Sequence, residues 1–265
     1  MIVAFLKKGI LHEMSYRFAF LLEILSILFF ILTFYFITKL FGKVAIPYLE
    51  SYGGDYFSFV LIGIAFSSYM GVGLGSFSGN LRSEQMMGTL EAMLVTPTRV
   101  STIIFSLSAW NFIYATAEIL IYLLLGTLLF GVDISNANIG AAFLILFLTL
   151  GSFTGFGIIS ASFIMILKRG DPVNWILGNV SDFLGGVYFP ITILPPFVQV
   201  ISHLLPITYA LRAIRHALLQ GYSFKMLLPD ILVLVLFCVI VLPLSIFFFK
   251  YAVKRTKLEG TLSQY

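Results

Sequence analysis

Residues 83–97, SEQMMGTLEAMLVTP, separate two very apolar runs with a short stretch that carries Glu84 and Glu91. Met86, Met87, Leu90, Met93 and Leu94 recur there at helical spacing, while Glu84, Gln85 and Glu91 take other positions. That spacing predicts a short amphipathic helix. Ser83 is placed to cap its first turn and Thr96-Pro97 to end it. Methionine side chains adapt to irregular partner surfaces, so the helix is a candidate docking element. An ordinary connecting loop is the plainer reading.

The runs on either side set the fold. Of 265 residues, 60% are hydrophobic and 11% charged, against about 25% charged in a soluble domain. A hydrocarbon core about 30 Å thick needs about 20 apolar residues per helix. Six stretches approach or exceed that length: 18–38, 56–79, 102–130, 139–167, 173–189 and 228–250. The third and fourth are long enough to tilt, and the fifth is short. The expected fold is therefore all-α and integral to a membrane, with six transmembrane helices in one domain over 1–265. Within it, 80–101 is the loop carrying the amphipathic helix. Residues 1–17 read as an interfacial helix, with Ile2, Phe5, Leu6 and Ile10 at helical spacing among Lys7, Lys8 and His12. Those charges also argue against a cleavable signal peptide.

Charge gives an orientation. If both termini are cytoplasmic, the inner segments hold eleven of the 16 Lys and Arg residues and the outer segments five, which satisfies the positive-inside rule. The 83–97 helix then faces the cytoplasm. The net charge of +4 does not indicate nucleic acid, because the cations cluster at the ends of apolar runs. Residues 190–227 are apolar but broken by Pro190, Pro195, Pro196 and Pro206. A re-entrant or interfacial helical hairpin on the outer side fits them best.

Acids inside the spans are the next candidates, since an ionisable group in hydrocarbon faces a partner or a wet cavity. Glu118, with Asn111 near it in sequence, lies deep in the third span, and Asp182 follows Asn179 and Ser181. They are candidates for a translocation path or for polar pairing inside the bundle. Glu23 is close enough to the inner interface to reach it. Gly71, Gly75 and Gly79 repeat every four residues, as do Gly151 and Gly155. Close packing within the chain is favoured for them over a dimer seam. Arg212, Arg215 and His216 share one side of a helix in the last outer segment. Contact with lipid headgroups at an external interface is favoured there over a specific anion site. No catalytic constellation and no metal-ligand spacing is legible.

Several of these motifs carry a family resemblance. Glu84 followed by Gly88-Thr89-Leu90-Glu91 and Leu94-Val95-Thr96-Pro97 resembles the segment after the second span in membrane subunits of type 2 ABC transporters. Phe189-Pro190, Leu194-Pro195 and Leu205-Pro206-Ile207-Thr208-Tyr209, with Arg212 beyond, resemble that family's external re-entrant segment. The resemblance implies that Glu84, Met87, Gly88, Thr89, Leu90, Glu91 and Leu94 form a coupling helix that docks on an ATP-binding ABC subunit. It also implies a second membrane subunit, as homodimer or heterodimer, a prokaryotic cell (inner) membrane, and export driven by ATP. No G-x-x-x-x-G-K-[ST] occurs; Gly42-Lys43 is followed by Val44 and lacks the upstream glycine. ATP and Mg are therefore expected on the partner, and no cofactor on this chain. A secondary active transporter is the alternative. It calls for more intramembrane charges and an internal repeat.

Overall fold

The computed structural model describes residues 17–96, 100–167 and 171–258 continuously, together with Lys7, Ile10, Leu11 and Ser15. The interfacial helix expected over 1–17 lies otherwise outside the described residues. Among the described residues nine α-helices follow one another: α1 (Arg17–Leu49), α2 (Tyr56–Met86), α3 (Thr89–Val95), α4 (Val100–Phe130), α5 (Ile139–Leu167), α6 (Pro172–Leu184), α7 (Pro196–Ser202), α8 (Pro206–Leu219) and α9 (Phe224–Leu258). There is no strand among the described residues.

Five helices, α1, α2, α4, α5 and α9, run for 29 to 35 residues, and each holds a stretch apolar enough to cross a membrane. At 1.5 Å per residue they are roughly 44–53 Å long, so they outreach the hydrocarbon. The expected fifth span does not form as a whole helix. α6 has 13 residues, about 20 Å, which is too short to cross alone. It stops at Gly185-Gly186, where Gly186 takes a φ of +86°, a conformation that ends a right-handed helix. The proline-rich segment behaves as its punctuation predicts: α7 and α8 meet at 86° across His203–Leu205. Pro206 starts α8, the Thr208 hydroxyl donates to the Ser202 carbonyl at 2.6 Å, and the Tyr209 hydroxyl to that of His203 at 2.9 Å. By its geometry this is a broken span or a re-entrant loop.

α2 and α5 form the centre of the bundle. α5 packs on α2 and α9; α4 and α1 lean on α2. Backbones approach closely where glycines allow it. A Cβ on Gly157 would collide with the Gly73 carbonyl and sit 2.8 Å from that of Leu74; one on Gly155 would come within 2.7 Å of Val241. Gly151 likewise faces Cys238 of α9. The expectation for Gly71, Gly75 and Gly79 needs correction. Gly71 and Gly79 have nothing within 4 Å of an added Cβ, and Gly75 meets only Asn174 at 3.3 Å. Against α5 the packing glycine of α2 is Gly73, and the spaced triplet lines open space.

Among the described residues two apolar cores result. The larger occupies the middle of the bundle and the end that holds α8. The smaller joins α2, α5 and α9 at the opposite end, through Phe77, Leu81, Ile158, Met165, Phe249 and Val253, with Met93 of α3 packed beside it.

Candidate functional site

The α3 end holds the first candidate. α2 does not stop at Ser83 but continues to Met86, and the break comes at Gly88, whose φ of +69° only glycine adopts readily. Ser83 therefore does not cap α3; its carbonyl accepts from Met87 N at 3.0 Å. Glu84, only 7% exposed, holds the turn together: its carboxylate accepts from the Thr89 hydroxyl, which also lies 3.2 Å from the Glu84 carbonyl oxygen. The Thr96 hydroxyl closes α3 on the Met93 carbonyl at 2.7 Å. Outside this knot Met86, Met87 and Val95 are exposed, Val95 by 84%. Gly88 and Thr89 are exposed with them. Leu90, Glu91 and Leu94 belong to α3, but their side chains, like Pro97, lie outside the described residues.

A second candidate runs along one face of α2. Positions 64, 67, 68, 71, 72, 75, 76, 79 and 80 of that helix line two recesses, as the three- and four-residue spacing of a helix face requires. The first recess, about 290 Å³, is bordered by Glu23, Ser67, Ser68, Glu118, Tyr122 and Tyr188. The Ser68 hydroxyl donates to Glu118 at 2.8 Å, the Tyr114 hydroxyl to Glu23, and the Ser67 hydroxyl to Asp182. The second, about 430 Å³, follows Gly71, Gly75 and Gly79 opposite Trp110, Asn111 and Tyr114 of α4. A third, about 790 Å³, opens along α6 between Asp171 and Asp182. Glu118, Asn111 and Asp182 therefore surround the same face of α2. Glu23 joins them rather than simply facing the interface. Ser67 and Ser68 were missed by the sequence reading; their one-turn spacing from Gly71 was the available signal. Asp171 was missed too. It caps α6 through Asn174 N at 3.0 Å and accepts from Ser160, and the Asp-Pro pair at a helix start announces it.

The external-interface reading of Arg215 is overturned. Arg215 is 2% exposed, and its guanidinium donates to the carbonyls of Phe59 at 3.1 Å, Gly186 at 2.8 Å and Val187 at 2.9 Å. The Phe59 ring lies 3.4 Å from it. A buried cation needs its donors filled. Two of these carbonyls follow α6, where the negative end of the helix dipole adds to the attraction. Gly63 leaves room for the group, since a Cβ there would collide with Arg215 and with Val187 O. Arg212 is also paired, with Nε 3.0 and 3.1 Å from the two oxygens of Asp230 on α9. His216 stacks between Tyr52 and Tyr222 and bonds Gln220 at 2.7 Å. Burial pushes the Tyr52 phenol above its ordinary range, against the pull of Arg215 and Arg212. α8 thus faces inward with its cations and clasps the loops at its end of the bundle.

Long apolar helices, a bent helix pair at one end and a short helix held outward at the other make a membrane domain of a particular plan. The sequence profile of ABC-2 type transporters matches residues 2–219. The chain belongs to the ABC-2 type transporter family. It is a membrane subunit of a type 2 ABC transporter, an integral membrane permease component, and membership implies an ATP-binding ABC subunit as partner. Compared with individually curated proteins, the chain finds no significant match. The family match covers both candidate regions and stops at the end of α8.

Proposed function

We propose that the chain is the membrane-spanning subunit of an ATP-driven exporter, paired with a second membrane subunit, and that α3 is its contact with the ATPase subunit. The observation that carries this reading is the α3 knot: a short helix presents Met86, Met87 and Val95 outward while Glu84 and Thr89 tie it to α2. Exposed apolar side chains on a small, braced element suit docking. The Lys and Arg asymmetry supports a cytoplasmic position for this end and for both termini. The recesses along α2, open on one side, would be closed by the second membrane subunit to form the path, with Glu118, Asn111 and Asp182 among its walls.

The mechanism follows from continuity. α2 carries the knot at one end and Ser67 and Ser68 farther along, so a push on α3 reaches the path through sixteen residues of unbroken helix, roughly 24 Å. ATP moves the equilibrium only if the two conformations differ in how well the ATPase pair holds them. Shifting it from 1:99 to 99:1 takes about 5.5 kcal/mol of differential binding. ATP and Mg act on the partner; this chain supplies the lever and the walls.

The test is affinity purification of the tagged chain from native membranes, followed by reconstitution. The expected outcome is co-purification of an ATPase subunit and transport that stops when ATP is withdrawn. Transport by the chain alone, following an ion gradient and indifferent to ATP, would establish the secondary-transporter alternative instead.

A further inference from the structure

α4 and α5 are consecutive in the chain but hardly touch. Each packs on α2, and a cleft of about 530 Å³ is left between them, with Phe66 of α2 among its lining residues. Among the described residues that line it, only Thr127 is polar, and its hydroxyl already donates to the Leu124 carbonyl at 3.0 Å. The α4 wall runs from Ile119 to Leu128, nine steps or about 14 Å. That is close to half of a hydrocarbon core of about 30 Å, the depth of one leaflet. The cleft lies beside the 131–138 connection, which contributes Ile134 and Ala137 to it. Its rim residues Leu124 and Phe143 are exposed and continue the lipid-facing surface of the two spans.

Three occupants can be compared. Water needs two to four polar partners, which this lining lacks. A helix about 10 Å across displaces roughly 1,100 Å³ over about 14 Å, twice the space present. A single extended hydrocarbon chain fits within the volume and matches the depth and the chemistry. We infer that the α4–α5 cleft is a binding site for one acyl chain of a bilayer phospholipid in the leaflet beside the 131–138 connection. Ile214 and Leu218 of α8 belong to the same lining, so the bound chain bears directly on the helix that carries Arg215. This site is separate from the α2 recesses and stands whether or not the transport reading above holds.

The test uses the full chain in its native complex, reconstituted in nanodiscs of a phosphatidylcholine with a photoactivatable diazirine in mid-chain. Adducts mapped by peptide mass spectrometry should show a several-fold enrichment on 119–128 and 139–146 over the equally exposed apolar surfaces of α1 and α9. Ala142→Trp, which fills the cleft, should remove that enrichment, while Phe147→Trp, exposed on α5 outside the cleft, should keep it. Even labelling of all lipid-facing helices in the unmodified chain would overturn the inference, because the lipid would then be annular only. Enrichment that survives Ala142→Trp in a well-folded sample would overturn it as well.

Discussion

Arg212 and Arg215 sit three positions apart on one helix, yet they do different work. Arg212 is partly exposed and makes a forked pair with Asp230, whose carboxylate is buried. Arg215 is sealed in and fills three backbone acceptors, each of which would be stranded without it. Arg215→Lys keeps a charge but not the fork, and is expected to cost about 1–3 kcal/mol, the range for a buried group left unsatisfied. Asp230→Asn keeps an oxygen that accepts from the partly exposed Arg212 and should cost less than Arg215→Lys. Thermal unfolding of the two variants in the same detergent checks the order. In the α2 recess, Glu118→Gln keeps an acceptor for Ser68 and should leave the melting temperature unchanged. If Glu118 lines the path, transport in vesicles falls several-fold. The sequence could show that Arg212, Arg215 and His216 share a helix side. It could not show which way that side turns, because Phe59, Gly186 and Val187 come from segments remote in sequence. Ser67–Asp182 and Ser68–Glu118 were hidden for the same reason.

Among the elements, hydropathy located the spans well because length and apolar content are local properties. The α5 range, Ile139–Leu167, is the same in sequence and structure, and α4 differs by two residues at its start. α1 runs past its apolar stretch through Pro47 to Leu49, and α9 past its own from Phe224 to Leu258, since a helix does not end where hydrophobicity does. α6 failed the ruler at a glycine pair that a hydropathy window averages away. Glycine spacing also misled. The triplet at 71, 75 and 79 has the small-xxx-small pattern, but contact is made by Gly73 against Gly157 and Phe153. Gly157→Ala should therefore push α2 and α5 apart and cost about 1–3 kcal/mol, the usual range for overpacking. Gly71→Ala should be accommodated, because nothing stands in its way. Comparing the yield of monodisperse protein and the unfolding temperature of the two variants separates these outcomes.

At the scale of the molecule the bundle has two unlike ends joined by α2. One end is clasped by Arg215, the His216 aromatic stack and the Gln220 bond to the Ser51 carbonyl at 2.8 Å. The other presents a short helix outward, beside a small apolar core. Membership in the ABC-2 family was legible in the motifs around Gly88-Thr89-Leu90-Glu91 and Leu205-Pro206-Ile207-Thr208-Tyr209. The asymmetry of the ends emerged only once the helices were packed. We propose that the α3 end receives the ATPase. Cysteine cross-linking tests it most directly, in a Cys238→Ala background co-expressed with an ATPase subunit scanned with surface cysteines. Val95→Cys should form a disulfide-linked heterodimer with a defined patch of that subunit, while Ile193→Cys at the clasped end should form none. An assembled complex in which Val95→Cys finds no partner position, or in which Ile193→Cys is the one that links, would rule out docking at α3.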